Sequence, residues 1–164
     1  MSMKQARWLV ATLVIIGLLG YLHGRNPMNL GKPDQPAFGP VTEIAAPENC
    51  SVKGAGCTVE LPELGTYTVR MPERVVPLEK FTLAVEPDAG LLPETGAVHA
   101  NFDMIGMDMG FNDYVLEREA SGRFRAEVIL PVCTADRSDW ILDLHLTTTR
   151  GTFYTRLPFD MPRR

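Results

Sequence analysis

Catalytic motifs and the residues that catalysis commonly uses are scarce in this sequence. Its 164 residues include only three histidines and three cysteines. No Ser-His-Asp arrangement, H-E-x-x-H zinc motif, phosphate-binding loop or dinucleotide fingerprint occurs. Histidine is the usual general acid or base near neutral pH, so this small supply offers little for acid-base chemistry. The sequence therefore predicts a protein that is not an enzyme.

Positive charge is also in short supply. The chain has 16 Lys and Arg against 20 Asp and Glu, a net charge of −4. The first 25 positions hold three basic residues and no acidic one, which leaves 13 basic and 20 acidic groups, a net charge of −7, for the remainder. A surface of that sign repels phosphate, and this excludes a basic nucleic-acid-binding module.

One long uncharged run is present, WLVATLVIIGLLGYL at residues 8–22. As a helix its 15 residues would span about 22 Å of a hydrocarbon layer that is roughly 30 Å thick, which favours a signal peptide. The residues that follow lack the small pair that a signal peptidase cuts, and Trp8 and Tyr21 stand where aromatic side chains anchor a membrane helix. We predict a single transmembrane helix in residues 1–23. Lys4 and Arg7 precede the run, so the N-terminus is expected in the cytoplasm and the rest of the chain outside it.

The next segment, residues 24–47, contains five prolines and three glycines. Such a composition cannot sustain a helix or a central strand. We predict a linker that joins the anchor to a folded domain at residues 48–164. In extended, polyproline-like geometry it could reach some 70 Å, at about 3.1 Å per residue.

Beyond Cys50 the apolar residues alternate with polar ones, and turn residues interrupt the pattern every eight to twelve positions. This pattern is typical of short antiparallel strands with one buried face. The sequence predicts an all-β domain, an antiparallel immunoglobulin-like β-sandwich of about seven or eight strands. The predicted strands are 58–61, 66–71, 80–86, 97–103, 114–119, 123–130, 140–148 and 152–157, with a hairpin turn at Arg150 and Gly151 between the last two.

Three cysteines in an exported chain allow one internal disulfide and leave one thiol. Cys50 and Cys57 are seven positions apart with two glycines between them, so this pair is the predicted disulfide. A bond from one of them to Cys133 is the alternative. If the first pairing holds, Cys133 keeps its thiol.

Three of the eight methionines, Met104, Met107 and Met109, fall within six residues. Thioether sulfur is a soft donor that suits Cu(I) and needs no deprotonation, so it stays a ligand where thiols are oxidised. Gly106 and Gly110 permit the turns that could aim several sulfurs at one point. Met104, Met107, Met109 and Cys133 are therefore the predicted metal ligands, with His99 as a further candidate.

Each of these residues also has a structural interpretation. Met104 continues the alternation of a buried strand face and is more readily a core residue. His99 and His145 lie on the polar faces of their strands, where histidines are usually solvated, and Cys133 is equally well a buried, inert thiol. The carboxylates Asp103, Asp108 and Asp113 lack the pattern of a calcium loop and are expected to serve solvation.

The anchor, the strand-rich exported domain, the methionine motif at 104–110 and the stretch Leu130-Pro131-Val132-Cys133 before Trp140 resemble small bacterial YtkA-like and related periplasmic proteins. The resemblance covers roughly residues 50–158. It implies a role in copper handling or in the assembly of the copper centres of a respiratory oxidase. The late H-x-M motif of better-defined periplasmic copper chaperones is missing, since Leu146 and Thr147 follow His145.

Together these observations predict a single-pass protein of the bacterial inner membrane whose periplasmic domain binds copper as Cu(I) and passes it to a respiratory oxidase or another copper-handling membrane protein. The alternative is a protein-protein interaction module that binds no metal. In that case the methionine loop is a pliable apolar patch that docks onto a membrane complex.

Overall fold

The computed structural model describes residues 40–107, 109–133 and 137–161. Within these ranges the chain is all-β, as predicted, and contains no helix. The nine strands are β1 (Val41–Glu43), β2 (Cys57–Leu61), β3 (Gly65–Arg70), β4 (Phe81–Pro87), β5 (Thr95–Met104), β6 (Asp113–Arg118), β7 (Phe124–Val128), β8 (Asp139–Thr148) and β9 (Gly151–Asp160).

The strands form one curled sheet in the order β1-β9-β8-β5-β6-β7-β4-β3-β2. The curl occurs at β6, because its first residues pair with β5 while Glu117 and Arg118 pair with β7. This shared strand divides the sheet into a first half, β1, β9, β8, β5 and β6, and a second half, β6, β7, β4, β3 and β2.

Side chains from the inner faces of the two halves meet in a single core. The rings of Phe81 on β4 and Phe102 on β5 are 6.1 Å apart, edge to face. The Tyr67 hydroxyl on β3 donates a 2.7 Å hydrogen bond to Thr155 Oγ1 on β9. Burial raises the pKa of Tyr67 to about 12, and the hydrogen bond to Thr155 partly offsets this rise. The apolar residues that alternate with polar ones along the sequence are therefore the residues that fill this core.

The first strand, β1, is a correction to the sequence prediction. Its three residues pair in parallel with β9, so the sheet is mixed and not purely antiparallel. They also lie inside the segment expected to be a linker, and the sheet thus begins earlier than residue 48. Pro40 and Pro47 flank this strand without interrupting it, and a three-residue edge strand needs only a short proline-free stretch.

The other eight strands occur where the sequence predicts them, with ends that shift by a few residues. The final hairpin closes at the pair Thr148 and Gly151, so its two loop residues are Thr149 and Arg150, one position earlier than predicted. Gly151 has a φ of 135°, in the region that favours glycine.

The predicted disulfide is confirmed. Cys50 and Cys57 are bonded, with their Cα atoms 5.1 Å apart, and Cys133 is a free cysteine. The alternative bond to Cys133 is thereby excluded. Cys57 is the first residue of β2 and is buried, so the bond attaches the segment that precedes β2 to the core.

No helix within the described ranges is long and apolar enough to cross a membrane. The predicted transmembrane helix in residues 1–23 lies outside the described residues, and so does most of the predicted linker.

Candidate functional site

Strand directions place several loops at one end of the domain, which we call the distal end. β5 ends there at Met104, whose partner on β8 is Trp140, near the beginning of that strand. β6 begins there, since Asp113 pairs with Asn101 near the end of β5. β7 ends there too, because it runs antiparallel to β6 and its first residue, Phe124, pairs with Arg118 at the end of β6. The methionine loop, residues 104–110, and the Cys133 segment, residues 129–133, therefore leave the sheet at the same end.

The chain enters the domain at the opposite end. β1 runs parallel to β9 and begins beside Thr152, next to the β8–β9 hairpin. The distal end is thus about the length of a ten-residue strand, roughly 33 Å, away from the first residue of the sheet.

Met104 lies in the core. Its side chain is 2% exposed and shares the inner face of β5 with Val98, Ala100 and Phe102. The burial of Met104 therefore supports its interpretation as a core residue. If Met104 contributes to a site, its side chain does so from beneath the loop.

A tight turn sets the position of Met107. The Met107 N–H donates a 3.1 Å hydrogen bond to the Met104 carbonyl oxygen, and the two residues form an isolated antiparallel bridge. Gly106 has a φ of 71°, which a side chain at this position would strain. The turn brings Met107 back beside Met104 and exposes Ile105 at its tip.

Asp103 and Asn112 fix the rest of the loop. Oδ1 of Asp103 accepts hydrogen bonds from the backbone N–H of Met104, at 2.8 Å, and of Met109, at 3.2 Å. The Asn112 side-chain amide donates to the Met109 carbonyl oxygen at 2.9 Å, and the Asn112 carbonyl oxygen accepts from Phe102 N–H at 3.1 Å. Both sides of Met109 are thereby held.

Sequence reasoning missed this role for both residues. Asp103 was expected to be solvated and Asn112 was not considered, although Asn112 is buried. The signal was present, because Asp and Asn beside a glycine-containing turn commonly hydrogen-bond to nearby backbone groups. Asp108, the third polar residue of this region, lies outside the described residues.

Met107 and Met109 are partly buried against the core, with neither side chain fully exposed nor fully enclosed. Cys133 has the same intermediate burial and contacts the same core. Part of each of these three residues is therefore accessible to water while the strands beneath them remain folded.

A tyrosine connects the Cys133 segment to the base of the methionine loop. The Tyr114 hydroxyl donates to the Ile129 carbonyl oxygen at 2.7 Å and accepts from Ile129 N–H at 3.2 Å. The Tyr114 ring packs edge to face on Phe102, with ring centroids 5.8 Å apart. The two sulfur-bearing segments thus share a rigid support, although 24 positions separate Met109 from Cys133.

Arg137 supplies positive charge close to Cys133. Its guanidinium is paired with the Asp139 carboxylate, and this hydrogen bond is the main reason that the pKa of Arg137 is raised. A smaller contribution comes from the charge of Cys133 itself. In return, the hydrogen bond from Arg137 is the main reason that the pKa of Asp139 is lowered. The pair with Asp139 thus fixes the Arg137 guanidinium in the segment that follows Cys133.

His99 is placed away from the other predicted ligands. It lies five residues before Met104 on β5, about 16 Å along the strand, and on the outer face. His145 is its direct partner on β8 and shares that outer face. The strand geometry therefore separates both histidines from the methionine loop and brings them together.

Within the described ranges, no group of three or more His, Cys, Asp or Glu side chains is arranged to hold a metal ion. The predicted ligand set depends mainly on thioether sulfur, a donor of a different kind. The free cysteine adds the one sulfur that can carry charge.

Large apolar side chains are exposed around the same loops. Phe111 is 83% exposed directly after the methionine loop. The other exposed large apolar residues of the distal loops are Leu78, Ile105, Ile129 and Val132. Leu78 is joined to this region by the hydrogen bond from its N–H to the Leu130 carbonyl oxygen, 2.9 Å long. Single exposed apolar residues are ordinary, but a group around one end of a domain indicates a contact surface.

Comparisons with protein-family models, with curated proteins and with solved structures find no match to this chain. The fold and the site themselves define the class of protein: an all-β domain with one internal disulfide, whose distal end carries a methionine loop and a free cysteine.

Proposed function

We propose that this chain is a membrane-tethered periplasmic protein that binds Cu(I) at its distal end and passes it to a membrane-bound acceptor. The observation that supports the proposal is the meeting of the methionine loop and the Cys133 segment at one end of the sheet, from distant parts of the sequence.

In this proposal Met107, Met109 and Cys133 are the ligands, and Met104 supports them from the core. Two thioethers and one thiolate form a soft donor set that suits Cu(I). The partial burial of these three residues favours the proposal. An acceptor protein could still reach their sulfurs and share them as ligands while the copper ion is transferred. The turn at Gly106 and the carboxylate of Asp103 hold the backbone in place before the metal binds.

A tether also suits transfer. In the proposal the run at 8–22 anchors the chain, and residues 24–40 separate the anchor from β1. That spacer could extend to about 50 Å, at about 3.1 Å per residue. The domain would then sample a limited volume beside the membrane, with its distal end opposite the point where the spacer joins the sheet.

We further propose that the fold is immunoglobulin-like. The parallel pairing of β1 with the last strand, and the division of β6 between two halves that face each other, support this assignment. The antiparallel order of the remaining strands is compatible with it.

Cu(I) titration of the full chain against a competing chromogenic Cu(I) chelator tests the function. The double substitution Met107→Leu with Met109→Leu keeps apolar bulk and removes both thioethers, so affinity is expected to fall at least tenfold, about 1.4 kcal/mol. Met71→Leu is the matched control, since Met71 is a buried methionine that directly follows β3 and lies outside the methionine loop. Unchanged affinity in the double variant would contradict the proposal.

Asp103→Ala tests the loop geometry with every sulfur retained. Removing the acceptor for the Met109 N–H is expected to weaken Cu(I) binding and to speed hydrogen exchange at that amide. Asp103→Asn keeps a side-chain oxygen and should restore part of the affinity. If Asp103→Ala speeds exchange and leaves affinity intact, the loop does not position a ligand.

The exposed apolar residues favour a second candidate function, a docking module that needs no metal. Ile105 is exposed in the methionine loop, and Phe111 is exposed directly after it. Crosslinking in membranes, with and without a copper chelator, separates the two candidates. Capture of a partner that is lost in Phe111→Ser and unaffected by chelation supports docking alone, whereas capture that requires copper supports metal transfer.

A further inference from the structure

The two histidines of the described domain lie directly opposite each other. His99 on β5 and His145 on β8 are register partners in an antiparallel ladder of nine residue pairs. Both side chains are on the outer face, because the inner face of β8 carries Trp140, Leu142, Leu144 and Leu146. Directly opposed residues have Cβ atoms about 4.5–5.5 Å apart, so the two imidazoles leave the sheet side by side.

The strands that carry them are held on both sides. β5 is paired with β6 and β8, and β8 is paired with β5 and β9. The backbone positions of His99 and His145 are therefore set by two ladders each. Two ligands on such strands therefore lose little conformational entropy when they bind an ion.

The surroundings of the pair are partly apolar and partly acidic. Tyr154 on β9 packs beside His145, with ring centroids 5.0 Å apart, and Val115 on β6 is the partner of His99. Asp143 and Asp113 both pair with Asn101, two positions along β5 from His99. Asp143 accepts hydrogen bonds from Tyr154 and Arg156, and Asp113 accepts one from Asn101.

The protonation state of His145 suits a metal ligand. Burial is the main reason that its pKa is lowered, the charge of Asp143 opposes this effect, and the charge of His99 adds to it. The neutral imidazole, which is the form that binds a metal ion, is therefore favoured at neutral pH.

We propose that His99 and His145 form a second metal site, selective for a divalent transition-metal ion of borderline softness, with Cu(II) the tightest-binding member of the class. Two imidazole nitrogens would bind the ion and water would complete its coordination. Imidazole suits Cu(II) and Zn(II), and Cu(II) ranks highest among the divalent first-row ions. Two histidines at this spacing can each place one ring nitrogen about 2.0–2.1 Å from a shared ion, which is the metal–nitrogen distance in zinc sites.

This site is separate from the distal end. His99 is about 16 Å along β5 from Met104, and their side chains leave opposite faces of the sheet. The proposal does not depend on Cu(I) binding by the methionine loop. If both sites bind, the soft sulfurs would hold the reduced ion and the imidazoles the oxidised one.

Titration of the full chain with Cu(II), followed by electron paramagnetic resonance in the presence of competing citrate, whose donor atoms are all oxygens, tests the proposal. We expect one site whose hyperfine structure shows two coordinated nitrogens. His99→Gln and His145→Gln should each weaken it at least tenfold, and the double variant should lose it. His23→Gln is the matched control, since it removes the remaining histidine of the chain and should change nothing.

One further variant and one folding measurement complete the test. The variant Met107→Leu with Met109→Leu should keep full Cu(II) affinity, so loss of Cu(I) binding and loss of this site are distinguishable. Circular dichroism and the midpoint of thermal unfolding establish that each histidine variant is folded. Cu(II) binding that is as tight in a folded His99→Gln variant as in the parent chain would overturn the site.

Discussion

Replacing Phe102 with alanine is expected to lower the free energy of unfolding by about 3 to 5 kcal/mol. Phe102 is fully buried on β5 and makes edge-to-face contacts with three rings, those of Phe81, Tyr114 and Phe159, at centroid distances of 5.8 to 6.1 Å. These rings belong to both halves of the curled sheet, so the cavity would open where the halves meet. Such a loss is a large share of the roughly 5 to 15 kcal/mol that holds a domain folded.

Chemical denaturation followed by tryptophan fluorescence measures this effect, in a Trp8→Phe background that leaves Trp140 as the single reporter. Phe111→Ala is the matched control, because Phe111 is the same residue type in an exposed position and should change stability by less than about 0.5 kcal/mol. Equal effects of the two substitutions would show that the core is not organised around Phe102.

Removing the disulfide is expected to lower the free energy of unfolding by about 2 to 3 kcal/mol in the variant Cys50→Ala with Cys57→Ala. The bond closes a short loop, since the two cysteines are seven positions apart. It also holds a segment that contacts the rest of the domain. The Val52 carbonyl oxygen accepts a 2.8 Å hydrogen bond from Met71 N–H, and Lys53 Nζ donates a 3.0 Å hydrogen bond to the Asp160 carbonyl oxygen.

Thermal unfolding with and without a reductant checks this expectation. The parent chain should unfold at a lower temperature when it is reduced. The alanine variant should unfold at the same temperature with and without the reductant, within experimental error. Cys133→Ser is the control, because this thiol lies outside the bond and its replacement should leave the response to reductant unchanged. A parent chain that is equally stable in both conditions would contradict a stabilising role.

Eight of the nine strands within the described residues could be predicted because their signal is local. Each presents apolar residues at alternate positions, and burial of that face is the main free energy that a strand gains. The same alternation places Met104 in the core. The short strand β1 has three exposed residues and no such pattern, and its position depends on its partner, β9.

The candidate site shows the same division between local and non-local features. The methionine motif and its glycines are visible in the sequence, and the turn at Gly106 has the glycine that such a turn requires. The acceptor role of Asp103 toward Met109 needs a loop that folds back on itself. The placement of His99 away from the methionine loop, and beside His145, depends on the strand register, since a shift of one residue would reverse the faces.

The sequence by itself determined the β class of this domain, its strand positions after Cys50 and the supply of soft donors, because residue spacing and side-chain chemistry are local properties. Spacing favoured the Cys50–Cys57 disulfide, because two cysteines separated by a short glycine-containing loop meet readily, and only the structure excluded a bond to Cys133. The tertiary structure alone decided which segments share an end and which side chains share a face. Those relations come from pairing between strands that are distant along the chain, and the curl of the sheet at β6 is what brings the Cys133 segment to the methionine loop.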